Sequence, residues 1–188
     1  VGDRNDSSVL QNGDTNISEV RQSTDFQINT SSNDNFSTVT QNGTLNDQFV
    51  WQDGDNNTAS LDQDGTSNKS YVDQWGNDNT SASTQNGTSN DSRVLQGYGV
   101  LGDGSHTSEV TQDGTSNDSD VLQSGGLSND SYVLQDGTSN DSDVLQNGDN
   151  NSSDATQVGD DNASVVDQDG NSNISFVSQN GIEHESNV

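Results

Sequence analysis

Cysteine, proline and methionine are absent from this 188-residue chain, and only 4 side chains are basic against 31 acidic. Each absence closes a class of answer. Without cysteine there is no disulfide framework, thiolate zinc cluster or thiol nucleophile. Arg4, Arg21, Lys69 and Arg93 are the whole cationic complement of a chain with net charge -27, too few to neutralise a run of phosphates, so no nucleic-acid partner is expected. Hydrophobic residues make up 23% of the chain and aromatics 5%, whereas an ordinary globular domain carries about 45–50% apolar residues. A conventional core cannot be built from this. No apolar run approaches the roughly 20 residues that a spanning helix needs, so no membrane insertion is expected. Low hydrophobicity with high net charge is the composition of a disordered chain.

What is present contradicts disorder. Glutamine recurs at 11, 22, 41, 52, 63, 74, 85, 96, 112, 123, 135, 146, 157, 168 and 179, and eleven of these fourteen intervals are 11 residues. Each Gln opens the same phrase, Q-x-G-x-x-N-x-S-x-V-x, as in QDGTSNDSDVL from Gln112 to Leu122 and again from Gln135 to Leu145. A fixed period of this kind signals stacked units, each too small to fold alone, so residues 1–188 read as one repeat array.

Within a unit, Asn117, Ser119, Val121 and Gln123 lie two residues apart, the period of a strand, and share one face. Gly supplies a turn that needs positive φ. The absence of proline keeps every ladder donor in place. The fold class expected is all-β: a cross-β solenoid with two arcs per rung, about eight rungs, spaced about 4.7–4.9 Å. The turn column comprises Gly43, Gly54, Gly65, Gly76, Gly87, Gly114, Gly137, Gly148, Gly159 and Gly170.

The interior columns follow from the same register. Valines are expected at Val50, Val72, Val94, Val121, Val144, Val166 and Val177. Amide ladders are expected from Gln11, Gln41, Gln52, Gln63, Gln74, Gln85, Gln112, Gln135, Gln146, Gln157, Gln168 and Gln179. A second set runs through Asn46, Asn57, Asn68, Asn79, Asn90, Asn117, Asn140, Asn151, Asn162 and Asn173. A column of identical amides satisfies its own donors and acceptors without water, each amide bonding to the same residue one rung above.

The phrase Q-x-G-x-x-N-x-S-x-V-x-Q resembles the curlin repeat of curli, the secreted functional amyloid of bacterial biofilms, and the resemblance covers essentially the whole chain. It implies a two-arc β-solenoid, a homopolymeric protein fibril grown head to tail at the cell surface, a nucleator subunit, an outer-membrane secretion pore, and roles in the biofilm matrix and cell adhesion. The chain departs from the family in carrying mostly Ser at the small positions and in its acidity, which suggests a saline or divalent-rich habitat. Nothing resembling a leader precedes Val1, which suggests a processed chain, and both termini fall inside ordinary arcs, leaving edges expected to stack on another copy.

Three arcs are long, beginning at Gln22, Gln96 and Gln123, and the two largest insertions are placed near residues 23–34 and 97–105. All three are odd-numbered arcs, so their excess falls on one edge of the ribbon. One outer face collects Phe49, Trp51, Tyr71, Leu95, Leu122 and Leu145, expected to mediate lateral bundling; scattered tolerated apolar residues are the plain alternative. Asp91, Asp118 and Asp141 fall on successive rungs and repel one another, so screening by Na⁺ or Ca²⁺, neither bound as a cofactor, should speed assembly. The calcium-roll and EF-hand patterns are missing.

His106 and His184 occupy Asn positions and read as ladder substitutes rather than bases. No nucleophile, base and orienting acid converge, so an enzyme is not expected. The sequons at Asn68, Asn90 and Asn117 are by-products of the repeat if those Asn point inward; the loop sequon at Asn29 is open to glycosylation. The function expected is a secreted structural subunit of extracellular fibres. The alternatives are a monomeric ice- or surface-binding solenoid that uses the hydroxyl-rich face, and a calcium-dependent adhesin module.

Overall fold

The 11-residue period becomes sixteen strands. The structure is a computed structural model that describes residues 4–22, 33–97 and 104–188. The odd-numbered strands are β1 (Asp6–Asp14), β3 (Phe36–Thr44), β5 (Thr58–Thr66), β7 (Thr80–Thr88), β9 (Thr107–Thr115), β11 (Asp130–Thr138), β13 (Ser152–Asp160) and β15 (Ile174–Ile182). The even-numbered strands are β2 (Ile17–Gln22), β4 (Asp47–Asp53), β6 (Lys69–Trp75), β8 (Asp91–Gln96), β10 (Asp118–Ser124), β12 (Asp141–Asn147), β14 (Ala163–Asp169) and β16 (Glu185–Asn187).

Odd strands pair in order into one eight-stranded parallel sheet and even strands into another. Consecutive strands therefore never pair with each other. The chain alternates sheets and climbs one rung every two strands, giving a β-solenoid with two arcs per rung. Register is held by identity: Gln63 lies beside Gln85, Gly65 beside Gly87, Val121 beside Val144 and Gln123 beside Gln146. Slipping by one residue would turn every Val and Gln outward, which is why the repeat fixes the pairing.

The core is the seam between the sheets. Val39, Leu61, Val110, Val133, Ala155 and Val177 line it from the odd sheet, and Val50, Val72, Val94, Val121, Val144 and Val166 from the even sheet. The Ser, Asn and Gln columns are buried beside them. The connections β2–β3, β8–β9 and β10–β11 all run from the even sheet to the odd one, so the three long arcs open on the same edge. Most of the inserted residues, 23–32 and 98–103, lie outside the described part.

Turns use two left-handed residues. The glycines at the turn column have φ between 91° and 134° from Gly76 to Gly137, and a Cβ on Gly65 would overlap the carbonyl oxygen of Gly87 one rung away. The residue before each Asn is also left-handed, with φ of 54–62°, although it is never Gly. Periodicity did not reveal this second site, because Ser, Asn, Asp, Thr, Leu, Arg and Glu all occupy it.

Candidate functional site

The interior ladders are the structural feature that repeats at every level, and their bonding is more specific than amide-on-amide stacking. In the odd sheet, Nε2 of Gln11, Gln41, Gln63, Gln85, Gln112, Gln135 and Gln157 each donates to Oε1 of the next Gln, ending at Gln179, over 2.6–3.1 Å. The even sheet repeats the pattern from Gln22 through Gln52, Gln74, Gln96, Gln123 and Gln146 to Gln168, over 2.9–3.0 Å. Every one of these bonds points the same way along the axis.

The second N–H of each amide from Gln22 to Gln179 crosses to the opposite sheet. Gln63 donates to the carbonyl of Asp47, Gln85 to Lys69, Gln74 to Thr58 and Gln123 to Thr107. One side chain therefore ties its own column together and bolts the two sheets across the turn. The spacing of the glutamines carries no sign of this cross-sheet bond.

The Asn columns differ from the expected ladder. Asn Oδ1 accepts the main-chain N–H of the Asn one rung on: Asn57 N–H donates to Asn35, Asn68 to Asn46, Asn79 to Asn57, Asn90 to Asn68, Asn117 to Asn90, Asn140 to Asn117, Asn151 to Asn129, Asn162 to Asn140 and Asn173 to Asn151, at 2.8–3.2 Å. Nδ2 instead satisfies a turn carbonyl, as Asn46 does at Gly65 and Asn57 at Gly76. Within these columns amide-to-amide bonds join Asn140 to Asn117 and Asn162 to Asn140, and outside them Asn12 to Asn42. The short Asn side chain reaches backbone, where the longer Gln reaches its twin.

His106 fits this scheme. It is fully buried, its N–H donates to Asn79 Oδ1, and its Nδ1 accepts the N–H of Asn129 at 3.2 Å, standing in for an Asn oxygen. His184 takes the same place near the end, its N–H donating to Asn162 Oδ1. Asn68, Asn90 and Asn117 are buried, which removes their sequons from the surface; Asn29 lies outside the described residues.

The outer face of the even sheet carries Phe49, Trp51, Tyr71, Leu95, Leu122 and Leu145. Phe49 and Tyr71 stack at 5.0 Å and 8°, and Trp51 leans on Trp75 at 6.4 Å, with the Arg21 guanidinium over both Phe49 and Trp51. Leu95 is only 7% exposed, so of the leucines it offers least to a partner. Asp73 is enclosed among Tyr71, Trp75 and the strand beneath, and burial pushes its carboxyl up to about 6, against hydrogen bonds from Trp75 and Tyr71.

Asp91, Asp118 and Asp141 stand in register on successive strands. Burial raises all three, and Asp118 is raised further by Asp91 and Asp141 on either side. Among the described residues no group of three or more His, Asp or Glu has the geometry to hold a metal ion.

Comparison with known proteins returns one family. The model of the curlin associated repeat matches residues 33–65, 54–82, 137–170 and 148–181, together 95 of the 188 residues. No curated protein matches the chain.

Proposed function

The chain belongs to the curlin-repeat family, and from that premise we propose that it is the structural subunit of an extracellular amyloid-like fibre, formed by arrays joining end to end. Curlin repeats are associated with extracellular curli fibres, and a solenoid with two flat parallel sheets is a structural rather than a catalytic architecture.

The observation that carries the reading is the one-way glutamine ladder. Because every Gln donates toward the C-terminal side, β1 and β2 offer the acceptor oxygens of Gln11 and Gln22, and β15 offers the amide N–H of Gln179; in the even sheet Gln168 lies on β14, one rung in from β16, which holds no Gln. The two ends are complementary in the odd sheet, and among the described residues no strand pairs with the outer edges of β1 and β2, edges of the kind that template another strand. A second copy continues both sheets and the odd-sheet ladder, while the even-sheet ladder skips the β16 rung. By the family's habit the subunit would leave through an outer-membrane pore, be nucleated at the cell surface, and serve biofilm and adhesion.

Electron microscopy of the purified chain tests this. Long unbranched filaments with a meridional reflection near 4.8 Å are expected. Persistent monomers at assembly concentrations, in salt as well as in water, would overturn it.

A further inference from the structure

On the outer face of the even sheet the cations, though not the acids, are sorted along the axis, since β2, β4, β6 and β8 also carry Glu19, Asp47, Asp53, Asp73 and Asp91. Three of the chain's four cations, Arg21, Lys69 and Arg93, lie on β2, β6 and β8, beside the rings of Phe49, Trp51, Tyr71 and Trp75. The strands β10, β12 and β14 present no cation outward; they carry Asp118, Asp120, Asp141, Asp143 and Asp167 around Leu122, Leu145 and Val165. Leu145 is 36% and Val165 40% exposed, and both line a shallow groove with Leu95 and Leu122. In a chain of net charge -27, placing nearly every cation on one half of one face is a selective arrangement.

We propose that this face is an interface with a second copy of the chain, packed face to face and antiparallel about a two-fold axis along the strand direction between β8 and β10. The axis sends each rung of the first half against its counterpart in the second. Lys69 meets Asp141 of the partner subunit, Trp51 faces Asp167 of the partner subunit, and Phe49 meets Val165 of the partner subunit. At the centre, Arg93 and Asp120, which already bond at 3.0 Å within one chain, close into an alternating four-charge ring with their copies. Leu95 and Leu122 do the same as a four-leucine patch.

Charge pairing favours this orientation. In a parallel pairing, Lys69 and Arg93 would face Trp75 and Leu95, while Asp120 and Asp143 would be pressed unpaired against leucines, burying charge without compensation. The antiparallel pair has its own cost, Asp73 against Leu145 of the partner subunit, and Asp91 against Asp118 and Asp53 against Asp169, like-charge contacts that should need salt to screen them. The pairing is lateral and does not depend on end-to-end growth; single arrays and filaments alike can adopt it.

Lys69 is the only lysine, so a zero-length carbodiimide cross-link reports which carboxylates touch it. Within one chain, Asp47 and Asp91 are one rung away, whereas Asp141 is three rungs off, about 14 Å, and about five rungs off in an end-to-end neighbour. A Lys69–Asp141 linked peptide therefore arises only across the proposed interface and is the expected product. Links confined to Asp47 and Asp91 overturn the proposal. As a second measure, Lys69→Glu or Asp141→Lys alone should weaken lateral association roughly tenfold, and the double exchange should restore it. A double variant no better than either single also overturns it.

Discussion

Gln48 sits in a Ser position between Ser18 and Ser70, fully buried, and neither its Nε2 nor its Oε1 has a hydrogen-bond partner among the described residues. An amide with nothing to bond is a liability that its volume alone justifies. Gln48→Met keeps the volume and removes the polar atoms, so denaturant unfolding should show a gain of about 1–2 kcal/mol. His106 is the converse case, a substitution that works because Nδ1 does what Oδ1 does elsewhere. His106→Asn should be nearly neutral. His106→Ala leaves the Asn129 N–H without an acceptor and should cost about 1–3 kcal/mol by the same measurement. The amide slots could be read from spacing, since a buried polar column needs identical neighbours. The direction of each bond could not, because Asn and Gln differ by one methylene in what they reach, and a period shows position without reach.

At the scale of the strand and turn, the sequence displayed its alternation and its glycines, but half of the turn stayed hidden. Gly65 stands where a Cβ would collide with the Gly87 carbonyl. Gly65→Ala should cost roughly 3 kcal/mol or more, because a backbone carbonyl in a ladder cannot step aside. The other left-handed position tolerates many residues, and Leu45, with φ of 60° and its side chain half in solvent, is a poor choice there. Leu45→Asn should raise the unfolding midpoint by an amount worth about 1 kcal/mol, since Asn enters the left-handed region far more readily. This site was invisible to composition because polar loop residues look alike, whereas glycine announces itself. The β2–β3, β8–β9 and β10–β11 connections, by contrast, followed from counting arcs: an odd arc has nowhere else to put its surplus.

Over the whole molecule, acidity works against a structure that stacks like on like. Burial raises Asp91, Asp118, Asp141 and Asp143, and lifts Asp73 from 3.8 to about 6. A carboxyl whose folded value lies above its unfolded one favours folding when protonated. The benefit is therefore full below 3.8 and lost as pH climbs through about 6. Stability should rise as pH falls from 7 to 5, opposite to a protein held by salt bridges. For Asp73 the whole change, from pH 7 to below 3.8, is roughly 3 kcal/mol, of which a little over 1 kcal/mol falls between pH 7 and 5, and Asp73→Asn should flatten that part of a midpoint-versus-pH curve. Added NaCl should likewise shorten the lag before thioflavin signal appears; a lag insensitive to salt would contradict repulsion as the brake. One margin of the ribbon gathers every elongated connection, and the opposite margin turns tightly at each level. Foreign peptide spliced between Gly97 and Gly104 would thus hang from a single side of a filament, at a fixed interval set by the subunit's height, without disturbing a single glutamine. The fold comes ready-made as a scaffold for one-sided display.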